Sequence, residues 1–301
     1  MLLVGFVIVD TYPCFKVVWM SYSDSGVDQF LEAWVREYMS SFPSLFNLLV
    51  SCYGDRWRDV ARFRVFSRLN DLVPVIDVAY DNISKAIFSA YDKFRSFWGF
   101  DVGVLFVIYV GIGCGAGWAT DYWDGHSILL GLENIAELNW HDVESLEGLI
   151  LHELSHVVHA YLRGISCREL EELESNPLFL LYSEGFATRC EHLTLGYELW
   201  RMAPDDSWIE WCRSNLGLLA RKYLKYVDEG RPVNDFYGSW LSVNGRSQTG
   251  YFLGHEFIRY LERNMDIRDI AVMDFKSVID QARRFLAEIS QSSGSKVYDV
   301  C

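Results

Sequence analysis

Apolar residues along this 301-residue chain change their spacing several times, and each change predicts an element. Two short β-branched runs, Leu2–Val9 and Phe15–Trp19, are divided by Thr11-Tyr12-Pro13 and predict a pair of strands. Helical spacing follows over Val27–Tyr38 and over Leu72–Trp98, with Pro74 in the first turn, where a missing N–H costs no helical hydrogen bond. Asp101–Val110 is nearly all apolar and predicts a buried strand, and Gly111-Ile112-Gly113-Cys114-Gly115-Ala116-Gly117 predicts a loop feeding a cleft. The uncharged span Val102–Ala119 is long enough for a membrane helix, but its glycines and β-branched density favour strand and loop. His126–Leu132 reads as a further strand.

Helical periodicity resumes over Val143–Leu162, Pro177–Trp200, Asp206–Val227, Thr249–Asn264 and Phe275–Ile289. Between the first two of these, Glu171, Glu172 and Glu174 form a charged run beside Asn176-Pro177 and read as an exposed linker. A short polar tail, Ser290–Ser295, follows the last helix, and no internal repeat is present.

The most specific chemistry falls inside Val143–Leu162. His152-Glu153-Leu154-Ser155-His156 is an HExxH motif, flanked by Leu146, Leu149, Ile150, Val157, Val158 and Tyr161 on faces that predict packing into a core. Histidines four residues apart lie about 40° from each other around a helix, so both imidazoles can reach one metal ion. Glu153 directly follows the first histidine, where it can act as general base on a water that the metal activates. A hydrolytic zinc takes three protein ligands, so a third must come from elsewhere in the chain. His159 shares the helical face, but it stands about 10 Å along the axis from His152, too far for bonds of about 2 Å. Glu184, in Leu181-Tyr182-Ser183-Glu184-Gly185-Phe186-Ala187, is the better candidate, because a second helix can turn it back toward the histidines and Gly185 permits close helix approach. Acyl hydrolysis also needs a donor to the developing oxyanion, and Gly250-Tyr251-Phe252-Leu253-Gly254-His255 offers Tyr251 and His255 one turn apart.

HELSH, followed by S-E-G-F-A and later by G-Y-F-L-G, resembles the gluzincin-type zinc proteases grouped in bacteria and archaea as a domain of unknown function. The resemblance covers roughly Val102–Arg263 and leaves the first hundred residues unmatched. It implies that His152, His156 and Glu184 bind one Zn2+ per chain and that a peptide or protein is the substrate. It also implies an α+β fold with a zincin-like core, in which a small mixed sheet with an antiparallel edge strand lies beside the motif helix. His126–Leu132 stands where that edge strand, able to bind an extended peptide, is expected; an ordinary core strand is the alternative. The expected organisation is an α/β lobe at 1–100 and a peptidase domain with a helical C-terminal part at 101–301. The rival reading is a catalytically weak or inactive zinc-binding protein on a peptidase scaffold, acting as a binding or regulatory module.

Composition narrows the partners. A net charge of −14 disfavours binding to a phosphate backbone, so no nucleic-acid partner is expected. The apolar N-terminus has no basic region and no small-residue cleavage site, which reads as a first strand rather than a signal peptide. Seven cysteines without a Cys-x-x-Cys pair suit reduced thiols in a cytoplasm. No stable membrane insertion is expected.

Overall fold

The computed structural model describes residues 5–123, 125–203 and 205–291. Strand β1 (Phe6–Asp10) leads into helices α1 (Tyr12–Tyr22), α2 (Val27–Ala33), α3 (Pro43–Ser51), α4 (Trp57–Val60) and the long α5 (Leu69–Trp98). Strands β2 (Val104–Tyr109), β3 (Gly117–Tyr122) and β4 (Gly125–Gly131) follow, then α6 (Leu132–Glu137) and α7 (Val143–Arg163). The elements that follow among the described residues are mainly helices: α8 (Cys167–Glu174), α9 (Pro177–Leu195), α10 (Asp206–Ser214), α11 (Leu216–Asp228), α12 (Thr249–Leu261), α13 (Ile267–Ala271) and α14 (Phe275–Gln291). The protein is therefore a mixed, mainly helical α+β chain with one small sheet.

The sheet has the order β1-β2-β4-β3. The first three strands run parallel, with Ile8 opposite Phe106 and Phe106 opposite Ile128, and β3 runs antiparallel along β4 as the edge. β2, between two parallel neighbours, is apolar at every position, whereas the edge strand β3 carries Thr120 and Asp121.

Several expectations change. Phe15–Trp19 is helical rather than a strand: Pro13 opens α1, and Tyr12, Phe15 and Val18 are its buried positions, a spacing of three that suits one helix face. Leu2–Val9 is a strand from Phe6 onward, its first residues lying outside those described. Pro74 sits further inside its helix than expected, because α5 begins at Leu69. His126–Leu132 corresponds to an interior strand, and the antiparallel edge is Gly117–Tyr122, which continues directly out of the glycine loop. Glu171, Glu172 and Glu174 belong to α8, a helix opened by a Ser166–Glu169 capping box, rather than to a linker. The tail's Ser290 and Gln291 close α14, and 292–295 lie outside the described residues.

β1 pairs with β2 across residue 100, and the chain divides into two compact units, Met1–Glu153 and Leu154–Cys301. The division falls within the continuous helix α7, between the two histidines of the motif. Among the described residues no helix is long and apolar enough to cross a membrane.

Candidate metal centre

Helix α7 is a 21-residue helix, and Leu146, Ile150, Leu154, Val157 and Val158 are buried as its periodicity predicts. Tyr161, expected in the core, is exposed instead. His152 and Glu153 are buried and His156 is half-buried, so the motif stands on a face that water reaches only in part. One ring nitrogen from each histidine and one carboxylate oxygen of Glu184 all lie within 4.8 Å of one another. Nε2 of His156 is 3.6 Å from Oε2 of Glu184. Two donors bound tetrahedrally at zinc distances are separated by about 3.4 Å, so this edge is near its bound length. Two imidazoles and one carboxylate are also the donor set of a hydrolytic zinc site, with a fourth position open. The residues present therefore fit a zinc ion.

Glu184 reaches this position because α9 and α12 cross in backbone contact. A Cβ built on Gly185 would lie 2.2 Å from the Gly254 carbonyl oxygen. Asn176 caps α9 through its side chain, accepting from Leu178 N at 2.9 Å, and Pro177 occupies the first turn.

Glu153 is anchored by the edge strand. Its Oε2 accepts from the Ala119 N–H at 3.0 Å. Gly131 N donates to Ala116 O, so even-numbered residues of β3 pair with β4 and odd-numbered Gly117, Ala119 and Asp121 turn their backbone groups to the free edge. Gly117 also leaves room for the carboxylate, since a Cβ there would meet Glu153 Oε1 at 2.6 Å.

Behind His156 lies a polar relay that the charge pattern concealed. Glu174 Oε1 is 3.8 Å from His156 Nδ1 and accepts from Ser183 Oγ at 2.5 Å, and Ser183 Oγ is 3.3 Å from His159 Nδ1. Burial pushes the Glu174 carboxyl up to about 7. His159 is fully buried among Phe179, Tyr182 and Phe186, and burial holds its pKa well below the usual histidine range. It stands outside the ligand group and closes the relay from the core side.

The two oxyanion candidates occupy different surroundings. The Tyr251 ring meets Tyr237 edge to face at 5.5 Å, and Tyr237 shares a hydrogen bond of 3.1 Å with Tyr223, whose hydroxyl donates to Pro177 O at 2.6 Å. Both Tyr223 and Tyr237 are shifted upward, chiefly by burial and in part by the Glu184 charge, which puts this phenol cluster beside Glu184. Gly250 makes space for Tyr237, whose ring a Cβ would meet at 2.6 Å. His255 packs instead against His192 and Trp200, with its Nδ1 3.3 Å from Glu256 Oε1. Tyr237 had no signal in the sequence, because it lies in an irregular stretch among many other tyrosines.

No protein-family model, curated protein or solved structure matches this chain.

Proposed function

We propose that this chain is a zinc-dependent peptidase of the gluzincin type, with His152, His156 and Glu184 as the metal ligands. The observation that carries this reading is the convergence of two imidazoles and one carboxylate beside a glutamate whose carboxylate is tethered to an edge strand. Zinc bound there would lower the pKa of a water toward neutrality and polarise the scissile carbonyl.

The chain's own groups do the rest. Glu153 directs one oxygen to Ala119 N–H, which leaves Oε1 to take the proton of the attacking water and return it to the leaving amine. The outward backbone groups of Gly117 and Asp121, with the Ala119 carbonyl, suit an extended peptide added as a further strand, which gives affinity without regard to side chains. Tyr251, one ring away from the phenols beside Glu184, is the favoured donor to the oxyanion.

Metal analysis of the purified protein, with a quenched-peptide library assayed with and without chelator, tests the reading. One zinc per chain and chelator-sensitive cleavage are expected, and Glu153→Gln is expected to keep the zinc and lose turnover. Cleavage by Glu153→Gln at the parental rate would overturn the mechanism, and zinc without any cleavage would favour a binding module on the same scaffold.

A further inference from the structure

Cys52 and Cys114 stand far apart in the chain, yet the Leu49 carbonyl brings them together. It accepts from the Cys52 backbone N–H at 3.2 Å and from Cys114 Sγ at 3.4 Å. Cys52 Sγ donates in turn to the adjacent Leu48 carbonyl at 3.8 Å, so the two thiols sit on successive carbonyls of α3. Beside them the Tyr53 hydroxyl donates to the Gly113 carbonyl, so the last turn of α3 and the residues after it hold the glycine loop at two successive residues. The opposite flank of this loop is held by α6. Glu133 accepts from Gly111 N at 2.8 Å and Gly113 N at 3.0 Å, and Gly115 N donates to Asn134 Oδ1 at 3.2 Å. Cys52 is exposed and Cys114 is half-buried, so a soluble oxidant meets Cys52 first.

We propose that Cys52 and Cys114 form a reversible disulfide that latches the end of α3 to the loop leading into β3. The oxidant is a low-molecular-weight disulfide. The Cys52 thiolate attacks one of its sulfurs and expels the first small thiol. Cys114 then attacks the Cys52 sulfur of the mixed disulfide and expels the second. The protein loses two protons and two electrons, and the small disulfide leaves as two thiols. The order follows from exposure: Cys52 is open to the small disulfide, whereas the half-buried Cys114 meets a partner sulfur only once Cys52 carries it.

The test uses the full chain incubated with oxidised glutathione, then alkylated, digested and weighed. A Cys52–Cys114 cross-linked peptide, about 2 Da lighter than the reduced pair and lost on treatment with dithiothreitol, is expected. Cys52→Ser alters an exposed side chain, so it should melt like the parent and leave Cys114 without the thiol it would be joined to. Amide hydrogen exchange across 110–119 should slow severalfold on oxidation of the parent and stay unchanged in Cys52→Ser. Recovery of both cysteines only as alkylated thiols or glutathione adducts would overturn the disulfide. A cross-link with unaltered exchange in that segment would overturn the latch. Neither readout depends on hydrolytic activity.

Discussion

Gly185 and Gly254 touch backbone to backbone where α9 crosses α12. A Cβ on the first would meet the Gly254 carbonyl oxygen at 2.2 Å, and one on the second would meet the Leu181 carbonyl oxygen at 2.6 Å. Neither obstacle is a side chain that can swing aside, so an added methyl must part the helices. Glu184 precedes Gly185 in the chain and moves with it. Gly185→Ala is therefore expected to cost roughly 1–3 kcal/mol of stability, as overpacking does. It should also weaken zinc binding at least tenfold. Urea midpoints and a competition titration against a chromogenic chelator measure the two effects, and parental zinc affinity would show that the crossing does not set the ligand.

Gly117 faces the proposed general base, with Glu153 Oε1 2.6 Å from where its Cβ would be. Gly117→Ala should displace the base while sparing the ligands. The expected result is one zinc per chain with kcat reduced by about 10²-fold, the scale set by a misplacement of about 1 Å. Metal stoichiometry and steady-state kinetics of this variant check it; loss of zinc in parallel with activity would point to a general disturbance of α7.

In the proposed zinc site Glu174 and Ser183 would act through His156. Partners of ligating histidines typically change metal affinity by about 10–100-fold when removed. Glu174→Gln and Ser183→Ala are both expected to fall in that range, with Ser183→Ala the milder because Glu174 keeps its place opposite His156 Nδ1. Zinc affinities measured at one pH decide it, and an unchanged affinity for Glu174→Gln would remove the relay from the account.

Legibility from sequence followed the density of local constraint. His152 and His156 lie on one helix, so their relation is fixed by helical geometry and needs no tertiary information. The Gly185 spacing signalled a close helix approach, and the structure shows its partner to be Gly254. Glu174 escaped notice because its neighbours Glu171 and Glu172 are exposed and made the whole run resemble a solvated stretch. For His126–Leu132 the sequence leaves edge and core strand both open, because a strand between two others and a half-covered one differ in what they pair with, and the structure places it in the interior. Tyr237 acquires its position from Gly250 and Tyr223, residues with no sequence proximity to Glu184.

Glu133 gives the protein a pH dependence of its own. Burial pushes its carboxyl up to about 7, against the pull of the Gly111 and Gly113 N–H bonds, which lower it. Between the ordinary glutamate range and about 7 the folded state thus binds the proton that the unfolded chain releases. This contribution to stability is full at low pH and is lost as pH rises toward 7, with a slope of up to about 1.4 kcal/mol per pH unit. Urea denaturation at pH 5 and pH 7 should show this fall in the parent and a smaller one in Glu133→Gln. Equal pH dependence in both would assign the effect to other groups.

The central claim is that His152, His156 and Glu184 share one zinc ion. Anomalous diffraction at the zinc edge from crystals of the zinc-loaded protein tests it most directly. The account predicts one peak, about 2.0–2.2 Å from a ring nitrogen of each histidine and from a Glu184 carboxylate oxygen. No peak between the two imidazoles, or a peak there without the Glu184 carboxylate, would contradict it.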